Sequence, residues 1–273
     1  MFISERDRRK SGKIHGSAVL RCARVRSGHG IHDRTMTKPR KSAARVVSGT
    51  MPTVAPEREP RGARRKRETR ERLLNAAFHL MAERGKDGVA IAEITEAADV
   101  ATGSFYNHFE SKDELYAALI DTVFEEFGNA LDQLVKDLSD PAEVIAVCVR
   151  HTIRRAVREP VWGKLLIREG LSGRSLARGL GQRLWRDLKA GMAAGRLKID
   201  DPAMSYIAAG GTVIAAVSTA AQLHGAPSSH GGRAQHGITV EELPERAAAV
   251  LLRTLGVSLA QSEKIARRPL PQV

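Results

Sequence analysis

The chain has 273 residues, room for one large domain or two small ones, and only 4% of them are aromatic. Its two cysteines, Cys22 and Cys148, make neither a disulfide framework nor a metal-ligand spacing, which excludes a cystine-stapled scaffold and suits a reducing cytoplasm. The formal net charge of +13 suggests nucleic acid, but residues 1–67 hold 19 Lys/Arg against 5 Asp/Glu, a net of +14, so the other 206 residues are close to neutral and a DNA-binding role has to rest on a motif.

Residues 1–67 mix basic side chains with Gly, Pro and Ser and show no helical period, so they are expected to form a disordered basic extension. Met36 and Met51 inside it are alternative starts to Met1. A start at Met51 would leave Arg58, Arg61, Arg64, Arg65, Lys66 and Arg67 as a short basic arm, suited to phosphates or a minor groove. The longest apolar run near the start, Ala18–Leu20, is too short for a secretory leader. A first helix is predicted from Thr69 to Arg84, with Leu73, Ala77, Leu80 and Met81 in one stripe and Gly85 as its stop.

The most informative stretch follows. Ile91, Ile94 and Ala98 share one face of a short helix, and Asp99 is a residue type that tolerates the left-handed conformation of a sharp turn. After the turn, Phe105 and Phe109 lie four apart and face inward, leaving Thr102, Ser104, Tyr106, Asn107 and His108 to project outward. A short helix with that polar face suits a DNA major groove. Ser111-Lys112-Asp113-Glu114 is a capping box that opens a long helix to about Leu138.

Further helices are predicted over Pro141–Arg158, Val161–Glu169, Ser175–Gly195, Pro202–His224 and Glu241–Leu255, with Asp-Pro or Glu-Pro punctuation at several boundaries. The uncharged stretch Ile207–Leu223 is marginal for a membrane span and is expected to be a buried helix of a soluble protein. His224, His230 and His236, six apart in a Gly/Ser loop, fit no tight metal motif, and no cofactor, nucleophile or phosphate-loop motif is present. The C-terminal residues 261–273 are expected to be a frayed tail.

The segment Thr69–Leu119 resembles the DNA-binding domain of the TetR family of bacterial transcriptional regulators. The resemblance rests on the helix ending at Gly85 and on the ordered run Gly103-Ser104-Phe105-Tyr106-Asn107-His108-Phe109-Glu110-Ser111-Lys112-Asp113-Glu114-Leu115. Four positions depart from the family pattern. Val89-Ala90 stands where a capping Thr is common, Thr95 where Ala is usual, Asp99 for the turn Gly, and Ala101 for a capping Ser whose role Thr102 would take by a one-residue shift. The resemblance implies an all-α protein with a three-helix helix-turn-helix domain (68–116), then a helical effector-binding and dimerisation domain (117–260). It further implies that Thr102, Gly103, Ser104, Tyr106, Asn107 and His108 lie near double-stranded DNA, with Lys112 at a phosphate.

Pro202–His224, with the small residues Ala208-Ala209-Gly210-Gly211, and Glu241–Leu255 would form a homodimer interface. The middle helices would enclose a small-molecule effector, with Trp162, Leu165, Leu166, Trp185, Leu188 and Met192 as candidate apolar lining. The expected function is a cytoplasmic, non-enzymatic dimeric repressor released from a palindromic operator by a small molecule. A constitutive or architectural DNA-binding protein without effector is the alternative.

Overall fold

Between Arg61 and Arg84 the chain forms one continuous helix, α1, in a computed structural model that describes residues 60–170, 179–225 and 237–271. By contact density the chain divides into residues 1–60 and 61–273, and all the described helices belong to the second unit. Among the described residues every regular element is a helix. The α1 start at Arg61 takes residues 61–67 out of the expected disordered extension. Arg64–Glu68 (2.9 Å) and Arg67–Glu71 (3.6 Å) brace these turns at i,i+4 spacing, a support that hydrophobic periodicity does not register. Arg58, Cys22, Met36 and Met51 lie outside the described residues.

α1 stops at Gly85, whose φ of +75° is open to glycine and strained for most other residues, and whose N–H reaches the Met81 carbonyl at 2.8 Å. Two short helices follow, α2 (Ile91–Ala97) and α3 (Thr102–Phe105), then the long α4 (Lys112–Val135). Ser111 caps α4 by accepting the Glu114 N–H at 3.1 Å. The Glu114 carboxylate accepts from Glu110 N–H (2.5 Å), one residue ahead of the partner that a reciprocal capping box requires.

The C-terminal half is built around α5 (Pro141–Arg158), whose ends fall where Asp140-Pro141 and Glu159-Pro160 place them. Asp140 accepts the Ala142 N–H at 3.0 Å and also binds Arg196. Against α5 pack α6 (Pro160–Gly170), α7 (Gly179–Ala193), α8 (Pro202–Gly225) and α9 (Leu243–Thr254). The predicted first turn of α7, residues 175–178, and the loop carrying His230 and His236 lie outside the described residues.

Two further expectations change. Residues 259–266 are α10 (Leu259–Ala266), packed on α5 and α9, so the C-terminus carries a helix where a frayed tail was expected. Ser262, Ile265 and Ala266 supply its buried stripe, too short and too small to stand out in the sequence. Beyond it Arg268 pairs with Glu143, and its carbonyl accepts from Arg150 at 2.7 Å. The second change is α8. It is long and apolar enough by length and composition to cross a membrane, yet only 22% of its apolar window is buried within the chain, where a buried helix was expected. Met204 and Ile207 stand 57% and 58% exposed on it.

Candidate functional site

The helix-turn-helix is assembled from short, locally determined contacts. Ala90 precedes α2 and offers no capping side chain, but the Glu93 carboxylate accepts the Ala90 N–H at 2.8 Å and pairs with Arg84 at 2.7 Å. These bonds hold the Glu93 carboxyl below the usual carboxylate range. Asp99 sits at φ +51°, as the turn requires. Arg72 closes that turn from α1: its Nε donates to the Ala98 carbonyl at 2.8 Å and its Nη2 to the Asp99 carbonyl. Thr95 is buried in the place of the usual Ala. Its Oγ1 donates to the Ala92 carbonyl (2.9 Å) and lies 3.3 Å from Thr102 Oγ1. Thr102 is thereby engaged, and the N-cap of α3 is Ala101 with no side-chain bond, so the one-residue cap shift does not occur.

Phe105 and Phe109 are fully buried, their ring centroids 5.8 Å apart, and they anchor α3 and the turn after it. That anchoring leaves Thr102, Gly103, Tyr106 and Asn107 exposed, Tyr106 by 60%, and Ser104 and His108 half-buried. A Cβ built at Gly103 would meet no described atom within 4 Å, so its flank is open. Burial, then the charges of Lys66 and Arg70, holds the His108 imidazole below its ordinary pKa. Among the described residues its buried Nδ1 has no hydrogen-bond partner. Lys112 Nζ donates to the Val89 carbonyl at 2.9 Å, tying the start of α4 to the entry of α2.

Sequence reasoning missed Arg70 and Arg72. Arg70 donates to the His108 carbonyl at 3.1 Å and lies 4.2 Å from the centre of the Phe109 ring, a cation–π contact that fixes α1 against the exposed segment. The partners are 38 residues apart, and no local pattern marks them.

A cavity of about 810 Å³ opens among α4, α5, α6, α7 and α8. Of the candidate lining residues, only Leu166 reaches it. Trp162 is buried against Phe124 and Phe127, Leu165 and Leu188 are fully buried, Trp185 packs on Tyr206, and Met192 does not line the cavity. The face that α7 presents is Leu180, Arg183, Leu184 and Asp187, a helical stripe lying between the positions read as apolar candidates.

That stripe makes one cavity wall polar. Arg183 binds Asp132 (2.8 Å), Glu125 (2.9 Å) and Asn129 (2.8 Å), and Arg186 bridges Asp132 and Asp187, each at 2.8 Å. Gly128 admits this guanidinium, because a Cβ there would lie 2.5 Å from Arg183. Asp132 is kept below the usual range, since the bonds from Arg186 and Arg183 outweigh its burial. Asp187 is raised, because burial outweighs the bond that Arg186 donates to its Oδ1. Beside it, burial and then the charges of Asp187 and Asp132 push the Cys148 thiol up to about 12, so it is an inert wall group. At the other polar point the Tyr116 hydroxyl donates to the Glu169 carboxylate.

An all-helical chain with this helix-turn-helix and a helical half enclosing a cavity defines a one-component regulator. The family model for bacterial regulatory proteins of the tetR family matches residues 73–119, and that for the tetracyclin repressor-like C-terminal domain matches residues 140–268. The solved structure of RolR in complex with resorcinol is 38% identical, with a TM-score of 0.56, over 77% of this chain and 99% of that one. The chain belongs to the TetR family of transcriptional regulators. It is also similar to the repressor DhaR of Mycobacterium sp. strain GP1, 36% identical over 72 residues, or 26% of this chain and 36% of DhaR. The repressor NicS of Pseudomonas putida is 29% identical over 132 residues, or 48% of this chain and 60% of NicS. The chain thus aligns with less than two thirds of either curated relative.

Proposed function

We propose that the protein is a dimeric repressor, acting in the cytoplasm by binding rather than catalysis, which a small hydroxylated aromatic molecule releases from a palindromic operator. The observation that carries this is the double use of α4. It begins at Lys112, capped by Ser111 just after the DNA-reading segment Thr102–His108, and its residues Tyr116, Phe124 and Asp132 line the cavity. A ligand that changes the packing of α4 changes the pose of the DNA-reading segment. The small buried share of the apolar α8, 22% of its apolar window, supports a second copy of the chain as its cover.

The effector class follows from the polar wall. Asp187 offers a buried carboxylate that suits a hydroxyl donor. Glu125, Asp132 and Asp187 outnumber Arg183 and Arg186, so a further carboxylate from the ligand is disfavoured. The cavity volume lies within the usual range for small-molecule pockets. Resorcinol, the ligand in the RolR structure, is a neutral benzene diol of this kind.

The test is operator affinity, measured on an inverted-repeat duplex found by footprinting, with benzene diols and with benzoate as the anionic counterpart. Release by a diol and none by benzoate is expected. Release by benzoate alone, a footprint without an inverted repeat, or operator-level binding by a monomer counts against the proposal.

Division of labour along the exposed segment gives a second expectation. Asn107→Ala and Thr102→Ala should alter which operator variants are tolerated, by about 1–3 kcal/mol for each base pair no longer read, whereas Tyr106→Ala and Lys112→Ala weaken all duplexes alike. A binding series across operator variants showing the opposite split would overturn those roles.

A further inference from the structure

We infer that the first three turns of α1, residues 61–72, form a rigid cationic spur that grips the phosphate backbone beside the half-site. The inference rests on the operator-binding proposal and adds a contact surface that lies outside the helix-turn-helix. α1 buries nothing before Leu73, and residues 61–68 are exposed. Twelve residues of helix span about 18 Å, long enough to extend past the groove being read. They carry seven cations, Arg61, Arg64, Arg65, Lys66, Arg67, Arg70 and Arg72, against Glu68 and Glu71.

The direction of the spur is fixed by its root. Arg70 holds the His108 carbonyl and the Phe109 ring, and Arg72 holds the turn at Ala98, so α1 is fastened to both ends of the DNA-reading unit. Lys66 lies one turn ahead of Arg70 on the same face, and its charge is felt at His108. Lys66 is thus the exposed cation that faces the DNA-reading segment, and Arg61 and Arg65 extend the charge around the other faces of the same helical spur. Within the isolated chain this arrangement opposes helix formation, because Arg61 and Arg65 are like charges at i,i+4. A polyanion beside them removes that repulsion. A duplex supplies phosphates at regular spacing, and the helix holds its cations without the ordering that a flexible arm would require on binding.

Salt dependence reads this surface directly. Operator affinity of the full chain would be measured from low to physiological salt for the wild type and for the triple variant Arg61→Ala, Arg65→Ala, Lys66→Ala. The slope of log K against log salt should become shallower by about 0.9 for each phosphate that is no longer neutralised, with the ranking of operator variants unchanged. The charge-preserving pair Arg61→Lys, Arg65→Lys should keep the wild-type slope, and circular dichroism should show the same melting transition for all three proteins. An unchanged slope in a folded triple variant overturns the spur, as does a change in operator ranking, which would make these residues base readers. If the wild type itself binds no inverted-repeat operator, the parent proposal falls; a wild type that binds with no slope change in the variant removes the spur alone.

Discussion

Gly210→Phe should abolish release by ligand while leaving ligand-free operator binding intact. Gly210, one of the small residues expected at a homodimer interface, lines the cavity on α8, and a Cβ built there meets no described atom within 4 Å, so a large side chain has space to enter. Replacing a glycine inside a helix also favours the helix, by roughly 0.5–1 kcal/mol for the backbone term alone. The ring then occupies volume that a small aromatic ligand would need. If the ligand lowers operator affinity a hundredfold in the wild type, about 2.7 kcal/mol of coupling is at stake, and the variant should lose all of it. Fluorescence anisotropy on labelled operator, with and without saturating diol, measures both quantities. Full release by the folded variant would place the effector somewhere other than this cavity.

What the sequence made legible was local. Ile94 and Ala98, the Phe105–Phe109 pair, the left-handed Asp99 and the Ser111 cap all act within a few residues, and each appears where the pattern puts it. The bounds of α5 were equally plain, because Asp140-Pro141 and Glu159-Pro160 are local signals. The start of α1 was not, since its support comes from charge pairs and from Arg70 reaching across 38 residues. The cavity was the hardest part. Choosing large apolar residues as lining selects those that fill space, and Trp162, Leu165 and Leu188 do so. A cavity is bounded instead by side chains that stop short, here Gly179, Gly181, Gly210 and Gly211, and by charged groups such as Arg183, whose partners Glu125, Asn129 and Asp132 come from α4. Neither kind stands out in a hydrophobic pattern.

Arg168→Ala should uncouple the two halves without removing ligand binding. The last turn of α6 stands between cavity and DNA-binding domain. Leu166, Glu169 and Gly170 line the cavity, and Glu169 accepts from Tyr116 of α4. On another face of the same turn, Arg168 donates to the Ala82 carbonyl at 3.0 Å and the Glu83 carbonyl at 2.7 Å, while Lys164 pairs with Glu83 at 2.5 Å. Those carbonyls belong to the final turn of α1, where intrahelical donors have run out. Arg84 then continues to Glu93 at the start of α2. A ligand that displaces Glu169 thus moves the donor gripping α1, in parallel with any tilt of α4. Arg168 does not line the cavity, so the affinity of the diol should hold. The ratio of operator dissociation constants with and without ligand should shrink tenfold or more, about 1.4 kcal/mol, and operator DNA should weaken ligand binding by the same reduced factor. Removing two charge-assisted bonds should also lower the melting temperature, so Arg168→Lys, which keeps the charge, serves as the control for stability. A folded Arg168→Ala protein with its full release ratio would show that the signal travels along α4 alone.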